Sequence, residues 1–277
     1  MPHLRIQAAA IFSLFFVLLS QSIVYGAPAA KLWPRWQAHD PDSSVIIDHA
    51  DWDLILQRYV DIDHPSGINR FRYSSISPKD REIVQDYLHK MQTVEVSGLN
   101  RSEQKAYWIN LYNALTVDVI LAHYPVKSIR DIDISPGIFS NGPWDAKLLT
   151  VEGENISLND IEHRILRPIW QDNRVHYAVN CASLGCPNLQ PYSFTSKNLD
   201  KLLEKAAEDF INHPRGVSFI NNRLLVSSIY FWFMEDFGGT ESGIIEHLRR
   251  YLNSGNLKKL DIVQKKIRHQ YDWSLNE

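Results

Sequence analysis

The chain has 277 residues, of which 44% are hydrophobic and 22% carry a charge. That balance is typical of one large or two small globular domains with a sizeable core, and it excludes a largely disordered chain. The formal net charge is −3, and lysine and arginine form no dense run. Composition therefore argues against nucleic acid or an anionic membrane surface as the main partner.

The first residues have the pattern of a secretory signal peptide. A short start containing Arg5 precedes an apolar run over residues 8–19, and small residues follow around position 27. This pattern predicts a signal peptide over residues 1–27 and export of the remainder to the periplasm or the cell exterior. The apolar run has about a dozen residues, short of the roughly 20 that a spanning helix needs. We therefore expect no stable membrane insertion after cleavage, and one domain over residues 28–277.

Helical periodicity dominates the segment that follows. Apolar residues recur at helical spacing over residues 51–59 and again over residues 78–91. The second run begins at Ser77 or Pro78, residue types that commonly open a helix. Two helices are therefore predicted before residue 100.

Residues 101–125 form the longest apolar helical pattern, with Ser102 as the predicted N-cap and Pro125 as its end. Apolar side chains surround this helix almost completely, so it should be buried. Asn110 and Asn113 lie one turn apart within it, and each buried amide needs a hydrogen-bond partner. Either the two asparagines tie the helix to neighbouring backbone, or one of them orients a catalytic imidazole.

An alternating segment at residues 147–151 is followed by a turn sequence and predicts a hairpin. Ser157, with Asp160 three residues later, then predicts the capped start of a helix. On a helical projection Glu162 falls inside the apolar arc, whereas Arg164 and Arg167 fall outside it. A carboxylate facing the core is an exception that often marks a functional site or a paired network.

His163 lies on the flank of the same arc, where it could face a site or remain half exposed. The segment over residues 174–187 then reads as a strand that runs into a tight loop. The loop presents Cys181 and Cys186, which are the two cysteines of the chain. In an oxidising compartment they could form a disulfide, and otherwise serve as a nucleophilic or redox pair or as buried inert thiols. His176 precedes the loop on the predicted strand.

The remaining sequence predicts further small elements. An amphipathic helix is expected over residues 199–210, a hairpin around Asn221 and Asn222, and an aromatic helix over residues 229–237. A last helix is expected over residues 243–252. Together these patterns predict a helix-rich α+β single domain with a small, mostly antiparallel sheet.

Three ordered motifs resemble the domain of unknown function 547 (DUF547) family: YWINLYNAL at 107–115, SLNDIEHRILR at 157–167 and RVHYAVNCASLGCP at 174–187. The MEDFG and YDWSLN segments nearer the end of the chain resemble the closing motifs of that family. The resemblance implies a signature core at about residues 101–215. It implies no established activity, although some members are joined to glutaredoxin domains, which favours thiol chemistry.

Two function classes follow from these residues. The first is a cysteine-dependent hydrolase or acyl transferase, with a fold similar to papain or transglutaminase. Cys181 would be its nucleophile and His163 or His176 its base, with Glu162 or one of the two helix asparagines orienting the imidazole.

The alternative is a non-catalytic, secreted binding or scaffold module in which Cys181 and Cys186 form a disulfide. A metal site formed by His163, His176 and the cysteines is a third possibility, although the sequence lacks the paired CxxC or HExxH spacing that would make this prediction strong. The sequence indicates no cofactor. The partner could be a small molecule, a peptide or a protein. A cysteine sulfur close to an imidazole nitrogen in a cleft would favour the enzyme, whereas bonded sulfurs away from both imidazoles would favour the module.

Overall fold

A computed structural model describes residues 28–137 and 142–277. The predicted signal peptide, residues 1–27, lies outside the described residues. No helix within the described ranges is long and apolar enough to cross a membrane.

The N-terminal half begins with short elements and two helices. Ser77 caps the second helix, since its hydroxyl accepts the backbone N–H of Asp80 at 3.0 Å, as its residue type predicts. The elements in chain order are a 3₁₀ turn at Pro34–Gln37, α1 at Ala50–Tyr59, strands β1 at Val60–Asp61 and β2 at Arg70–Phe71, a 3₁₀ turn at Tyr73–Ser75 and α2 at Pro78–Gln92. Strands β1 and β2 pair antiparallel.

The central helix, α3, spans Arg101–His123 after a 3₁₀ turn at Val96–Gly98. Its N-cap is Asn100, not Ser102, because the Asn100 side chain accepts the backbone N–H of Glu103 at 3.0 Å. The helix is buried along most of its length, as its apolar surface predicts. Because α2 and the helix that begins near Ser157 both pack on α3, it positions the polar residues described below.

The helix after the predicted hairpin has an unusual middle. A 3₁₀ turn at Ile129–Asp131 precedes β3 (Leu149–Val151) and β4 (Glu154–Ile156), which form that hairpin. Ser157 and Asp160 then cap each other reciprocally, since each backbone N–H donates to the other's side chain. Residues Asp160–Leu166 adopt a π-helical conformation and continue into α4 at Arg167–Trp170.

The π-helical segment corrects the sequence projection. Glu162 is buried as predicted and Arg164 is half exposed, but Arg167 is 5% exposed and lies in the interior. The prediction that Arg167 faces outward was wrong because it used the angle of an α-helix. A π-helix advances by a smaller angle per residue, so a position beyond it moves to a different face.

Residues 174–180 do not form the predicted strand. Asn173–Tyr177 is a 3₁₀ helix that starts at Asp172, whose carboxylate accepts the backbone N–H of Arg174 at 3.0 Å. The run Val175–Asn180 is buried on every side. Short apolar runs that are buried all round do not distinguish a strand from a helical turn, which explains the error.

The C-terminal part holds a second hydrophobic cluster around a mixed sheet. Asn221 and Asn222, both with positive φ, form the turn of the predicted hairpin. The elements are α5 at Leu199–Asn212, β5 at Val217–Ile220, β6 at Arg223–Ser227, α6 at Ile229–Trp232, a 3₁₀ turn at Met234–Phe237, α7 at Glu241–Tyr251, α8 at Ser254–Ile262 and β7 at Gln264–Gln270. Strand β7, which the sequence did not predict, pairs parallel with β6.

The aromatic side chains of residues 229–237 are mostly core residues, as expected, although the predicted single helix is divided at Phe233. The larger hydrophobic cluster surrounds α3, and the smaller one lies under α5, α7 and the sheet of β5, β6 and β7. The predicted fold class, helix-rich α+β with small and mostly antiparallel sheets, is confirmed.

Candidate functional site

The cysteine loop is short and cross-linked. Cys181 and Cys186 form a disulfide, and their Cα atoms are 6.3 Å apart. Cys181 is half buried and Cys186 is 3% exposed. Ala182 adopts the left-handed conformation with φ of 57°, which lets the chain reverse between the two cysteines. The backbone N–H of Cys181 donates to the Cys186 sulfur at 3.0 Å.

A C-terminal segment lies against this loop. The backbone N–H of Leu184 donates to the carbonyl of Ser274, and that of Gly185 to the carbonyl of Asp272, each at 2.8 Å. A β-carbon on Gly185 would lie 2.9 Å from backbone atoms of Asp272, so this close approach requires glycine. The loop and residues 271–276 therefore form one packed unit.

Both sulfurs contact the hydroxyl of Tyr271. The distances are 3.2 Å from Cys181 and 3.1 Å from Cys186, and the Ser183 hydroxyl donates to the same tyrosine oxygen at 2.9 Å. Among the described residues, neither sulfur makes a hydrogen bond to an imidazole nitrogen. The structure thus surrounds the disulfide with hydroxyl groups.

The predicted histidines belong to a buried polar cluster, which we define as Glu162, His163, Arg167, His176 and Asp236. His176 Nε2 lies 2.7 Å from Asp236 Oδ2. Arg167 Nε donates to that same oxygen at 2.6 Å, and the Arg167 side chain is 2% exposed. Burial alone would raise the pKa of Asp236, but His176 and Arg167 outweigh it and lower that pKa to about 2. Asp236 is therefore ionised at neutral pH.

Arg167 also determines which ring nitrogen of neutral His163 carries the proton. Its Nη1 donates to His163 Nδ1 at 3.1 Å, so the neutral imidazole carries its proton on Nε2. Burial, opposed by the charge of Glu162 and aided by the Arg167 cation, lowers the pKa of His163 to about 4. The ring of Phe233 covers the cluster, with its centroid 4.1 Å from that of His176 and 5.7 Å from that of His163.

The Glu162 carboxylate is buried among the charged and polar groups of the cluster. Burial opposes its ionisation, but His163, His176 and Arg167 lower its pKa to about 2. Its Oε1 lies 3.7 Å from His176 Nδ1, a close contact that is longer than a hydrogen bond. Burial raises the pKa of Tyr112, and the charge of Glu162 adds to that shift.

The charge of Glu162 also affects the tyrosine beside the disulfide. Burial raises the pKa of Tyr271, and the charge of Glu162 raises it further. Tyr271 contacts both sulfurs, as described above. The charge of Glu162 thus acts both on the polar cluster and on the tyrosine that contacts the disulfide.

The two helix asparagines serve the backbone. Asn110 donates to the carbonyl of Phe194 at 2.7 Å and accepts its N–H at 2.9 Å. Asn113 donates to the carbonyl of Ala178 at 2.9 Å and accepts the N–H of Asn180 at 2.8 Å. Both amides have protein partners, as predicted. Each side-chain amide uses both its nitrogen and its oxygen to bond backbone groups. The alternative in which one asparagine orients an imidazole is therefore not supported.

Replacing Asn113 with alanine is expected to lower the free energy of unfolding by at least about 2 kcal/mol. The change leaves two buried backbone groups without partners, and each costs roughly 1–3 kcal/mol. Urea unfolding measures the difference. Asn155→Ala is the matched control, since Asn155 is exposed, and it should change stability by less than about 0.5 kcal/mol. Equal losses in the two variants would contradict the backbone role of Asn113.

The N-terminal segment borders the cluster. Lys31 and Trp33 donate their backbone N–H groups to the carbonyls of His163 and Arg164, at 2.9 and 3.0 Å. Arg167 Nη1 donates to the carbonyl of Pro28 at 2.7 Å. Residues 28–33 therefore cover one side of the π-helical segment.

Sequence reasoning missed Arg167, Asp236 and Tyr271 as members of the site. Asp236 and Tyr271 belong to the MEDFG and YDWSLN segments, whose resemblance to the family motifs assigns them no role in a site. The sequence does carry a signal for Asp236, because an acidic residue among aromatic core residues is the same kind of exception as Glu162 in its apolar arc. Arg167 could not be placed without knowing that the helix changes its pitch.

A cavity of about 590 Å³ adjoins the cysteine loop. Its walls include Gly185 of the loop, Arg215, Lys127 and the aromatic residues Tyr271 and Trp273. Within the described part of the chain, no group of three or more His, Cys, Asp or Glu side chains is arranged to hold a metal ion.

Comparison with known proteins gives one match. No curated protein and no solved structure matches the chain. The expected similarity to papain or transglutaminase therefore remains a prediction. The model of the family described as "Protein of unknown function, DUF547" matches residues 96–211, which include the three motifs. The MEDFG and YDWSLN segments lie outside the matched range. Residues 96–211 are therefore similar to the DUF547 family, the resemblance that the three motifs predict.

Proposed function

We propose that this protein is an exported, disulfide-bridged binding module whose ligand occupies the cavity beside the cysteine loop. The observation that carries this proposal is the state of the sulfurs: they are bonded to each other and contact Tyr271 and Ser183. The signal-peptide pattern and the disulfide support export, because such bonds persist in oxidising compartments.

The histidines support the same function. His176 is bonded to Asp236, and His163 accepts a hydrogen bond from Arg167. A buried polar network whose members bond one another makes its surroundings rigid. Histidines held in such a network fit a structural role better than the role of a base for a cysteine nucleophile.

Thiol labelling of the purified mature protein tests the proposal. Without reductant, iodoacetamide should label neither cysteine between about pH 5 and about pH 9. After reduction, Cys181 should react faster than Cys186 because it is half buried while Cys186 is 3% exposed. The rate should be the same in His163→Gln and His176→Gln as in the native protein.

The second candidate function is a cysteine-dependent hydrolase or acyl transferase that acts after reduction. The observation favouring it is that Cys181 is half exposed and faces two hydroxyl groups that could donate to a thiolate. Labelling of Cys181 well below pH 8, lost in either histidine variant, would support this enzyme and contradict the binding module.

A further inference from the structure

Arg215 is a cation without an acidic partner at the edge of the cavity. Its Nη1 donates to the carbonyl of Leu184 at 3.2 Å and its Nη2 to Asn188 Oδ1 at 2.6 Å. Both acceptors are neutral. Within residues 28–137 and 142–277, no carboxylate oxygen lies within the 4.0 Å of an ion pair with Arg215.

The guanidinium also has unused donor capacity. Its Nε is buried and has no hydrogen-bond partner among the described residues. Burial lowers the pKa of Arg215 to about 10, Tyr271 opposes this shift, and the neighbouring Arg70 adds to it. A cation taken out of water without a counter-ion is costly, whereas an arginine beside an oxyanion forms strong charge-assisted hydrogen bonds.

The cavity wall contains a second cation. Lys127 is exposed, and within the described chain its ammonium group makes no hydrogen bond or ion pair. Two carboxylates also line the cavity. Asp131 accepts the backbone N–H of Ser128 at 3.1 Å, and Asp272 that of Ser274 at 2.9 Å. Both aspartates are exposed to water, so they oppose a buried anion less than Arg215 attracts it.

We propose that the cavity binds an organic oxyanion, with Arg215 and Lys127 holding its charged group and Tyr271 and Trp273 contacting its apolar part. This inference rests on the proposed binding function and specifies the class of ligand. A carboxylate and a phosphate monoester share the chemistry that arginine recognises. The aromatic wall favours a ligand that carries a ring or chain over an inorganic ion.

Calorimetric titration of the full exported protein tests the proposal with three probes that share a phenyl group. Phenyl phosphate and phenylacetate carry the two kinds of oxyanion, and benzyl alcohol is the neutral reference. We expect at least one anion to bind about tenfold more tightly than benzyl alcohol. The tighter of the two anions then identifies the source, phosphate or carboxylate.

Variants locate the site. Arg215→Gln should weaken anion binding about tenfold and leave binding of benzyl alcohol unchanged. Because Arg215 also supports the cysteine loop, Lys127→Gln provides a variant without that structural role, and it should weaken anion binding about threefold. Lys205→Gln, which alters an exposed lysine paired with Asp209, is the matched control and should have no effect.

Different failures have different meanings. If benzyl alcohol binds as tightly as the anions, the oxyanion proposal is overturned while the binding function stands. If the anions bind equally to the native protein and to Lys127→Gln and Arg215→Gln, this site is wrong. If no probe binds, both proposals fail.

Discussion

Replacement of Arg167 with methionine is expected to lower the free energy of unfolding by about 3–5 kcal/mol, the usual cost of removing one partner from a buried ion pair. Arg167 is the cation nearest the Asp236 carboxylate, with 2.6 Å between Nε and Oδ2. Its loss also removes the donor to His163 Nδ1. Methionine keeps an unbranched apolar side chain against Phe233. The drop in the free energy of unfolding therefore measures the lost charge and hydrogen bonds more than a change in side-chain volume.

A matched control uses the same substitution at the surface. Arg250 pairs with Glu246 at 3.8 Å, and both side chains are more than half exposed. Arg250→Met should change stability by less than about 0.5 kcal/mol in the same urea titration. The double variant Arg167→Met with Asp236→Leu should recover part of the loss, because it removes both charges together. A cost below about 1 kcal/mol for Arg167→Met would show that the cluster is not a stabilising network.

Acidification from about pH 6.5 to about pH 4 is expected to destabilise the protein strongly. Burial lowers the pKa of His49, His163 and His247 to about 4 in the folded protein. In the unfolded chain the same groups titrate near 6.5. Below that pH the unfolded state binds protons that the folded state does not, so the free energy of unfolding falls until about pH 4.

The size of this effect follows from the shifts. A shift of this size corresponds to about 3 kcal/mol for each histidine, and three such residues approach the whole stability of a typical domain. Glu162 and Asp236 have a pKa lowered to about 2 in the folded protein. The unfolded chain therefore takes up protons on these two carboxylates before the folded protein does, and the free energy of unfolding continues to fall below about pH 4.

Urea midpoints measured across this pH range test the assignment. His247→Gln removes one buried titrating group, so the midpoint should depend less on pH. Glutamine can still accept a hydrogen bond from the Tyr177 hydroxyl, which lies 2.7 Å from His247 Nε2, so the variant should keep the native packing. His39→Gln, at an exposed position, is the control and should leave the curve unchanged. A midpoint that is constant from pH 6.5 to pH 4 would contradict the buried neutral state of these histidines.

Local signals in the sequence predicted the local structure well. Ser77 caps α2, Ser157 and Asp160 cap each other, and Asn221 and Asn222 form a hairpin turn, because each depends on contacts within a few residues. Strand β7 depends on pairing with a strand about 40 residues earlier, and periodicity carries no information about such a partner.

The sequence predicts which residues belong to the site better than it predicts which of them bond to each other. The sequence indicates Glu162 as a carboxylate in an apolar arc, and its Oε1 lies 4.0 Å from His163 Nδ1 and 3.7 Å from His176 Nδ1. The bonds within the cluster join residues as distant as Arg167 and Asp236, and only the fold decides such pairs. For Cys181, both disulfide and nucleophile were open from sequence, and the structure shows the disulfide.

The contact between residues 28–33 and the π-helical segment would make the protein sensitive to N-terminal trimming. The amides of Lys31 and Trp33 satisfy two carbonyls of that helix, and Pro28 accepts a bond from Arg167. Proteolytic trimming beyond Trp33 would leave those acceptors to water and open the cluster on that side. The stretch just past the predicted signal cleavage point would then be needed to keep the buried cluster closed.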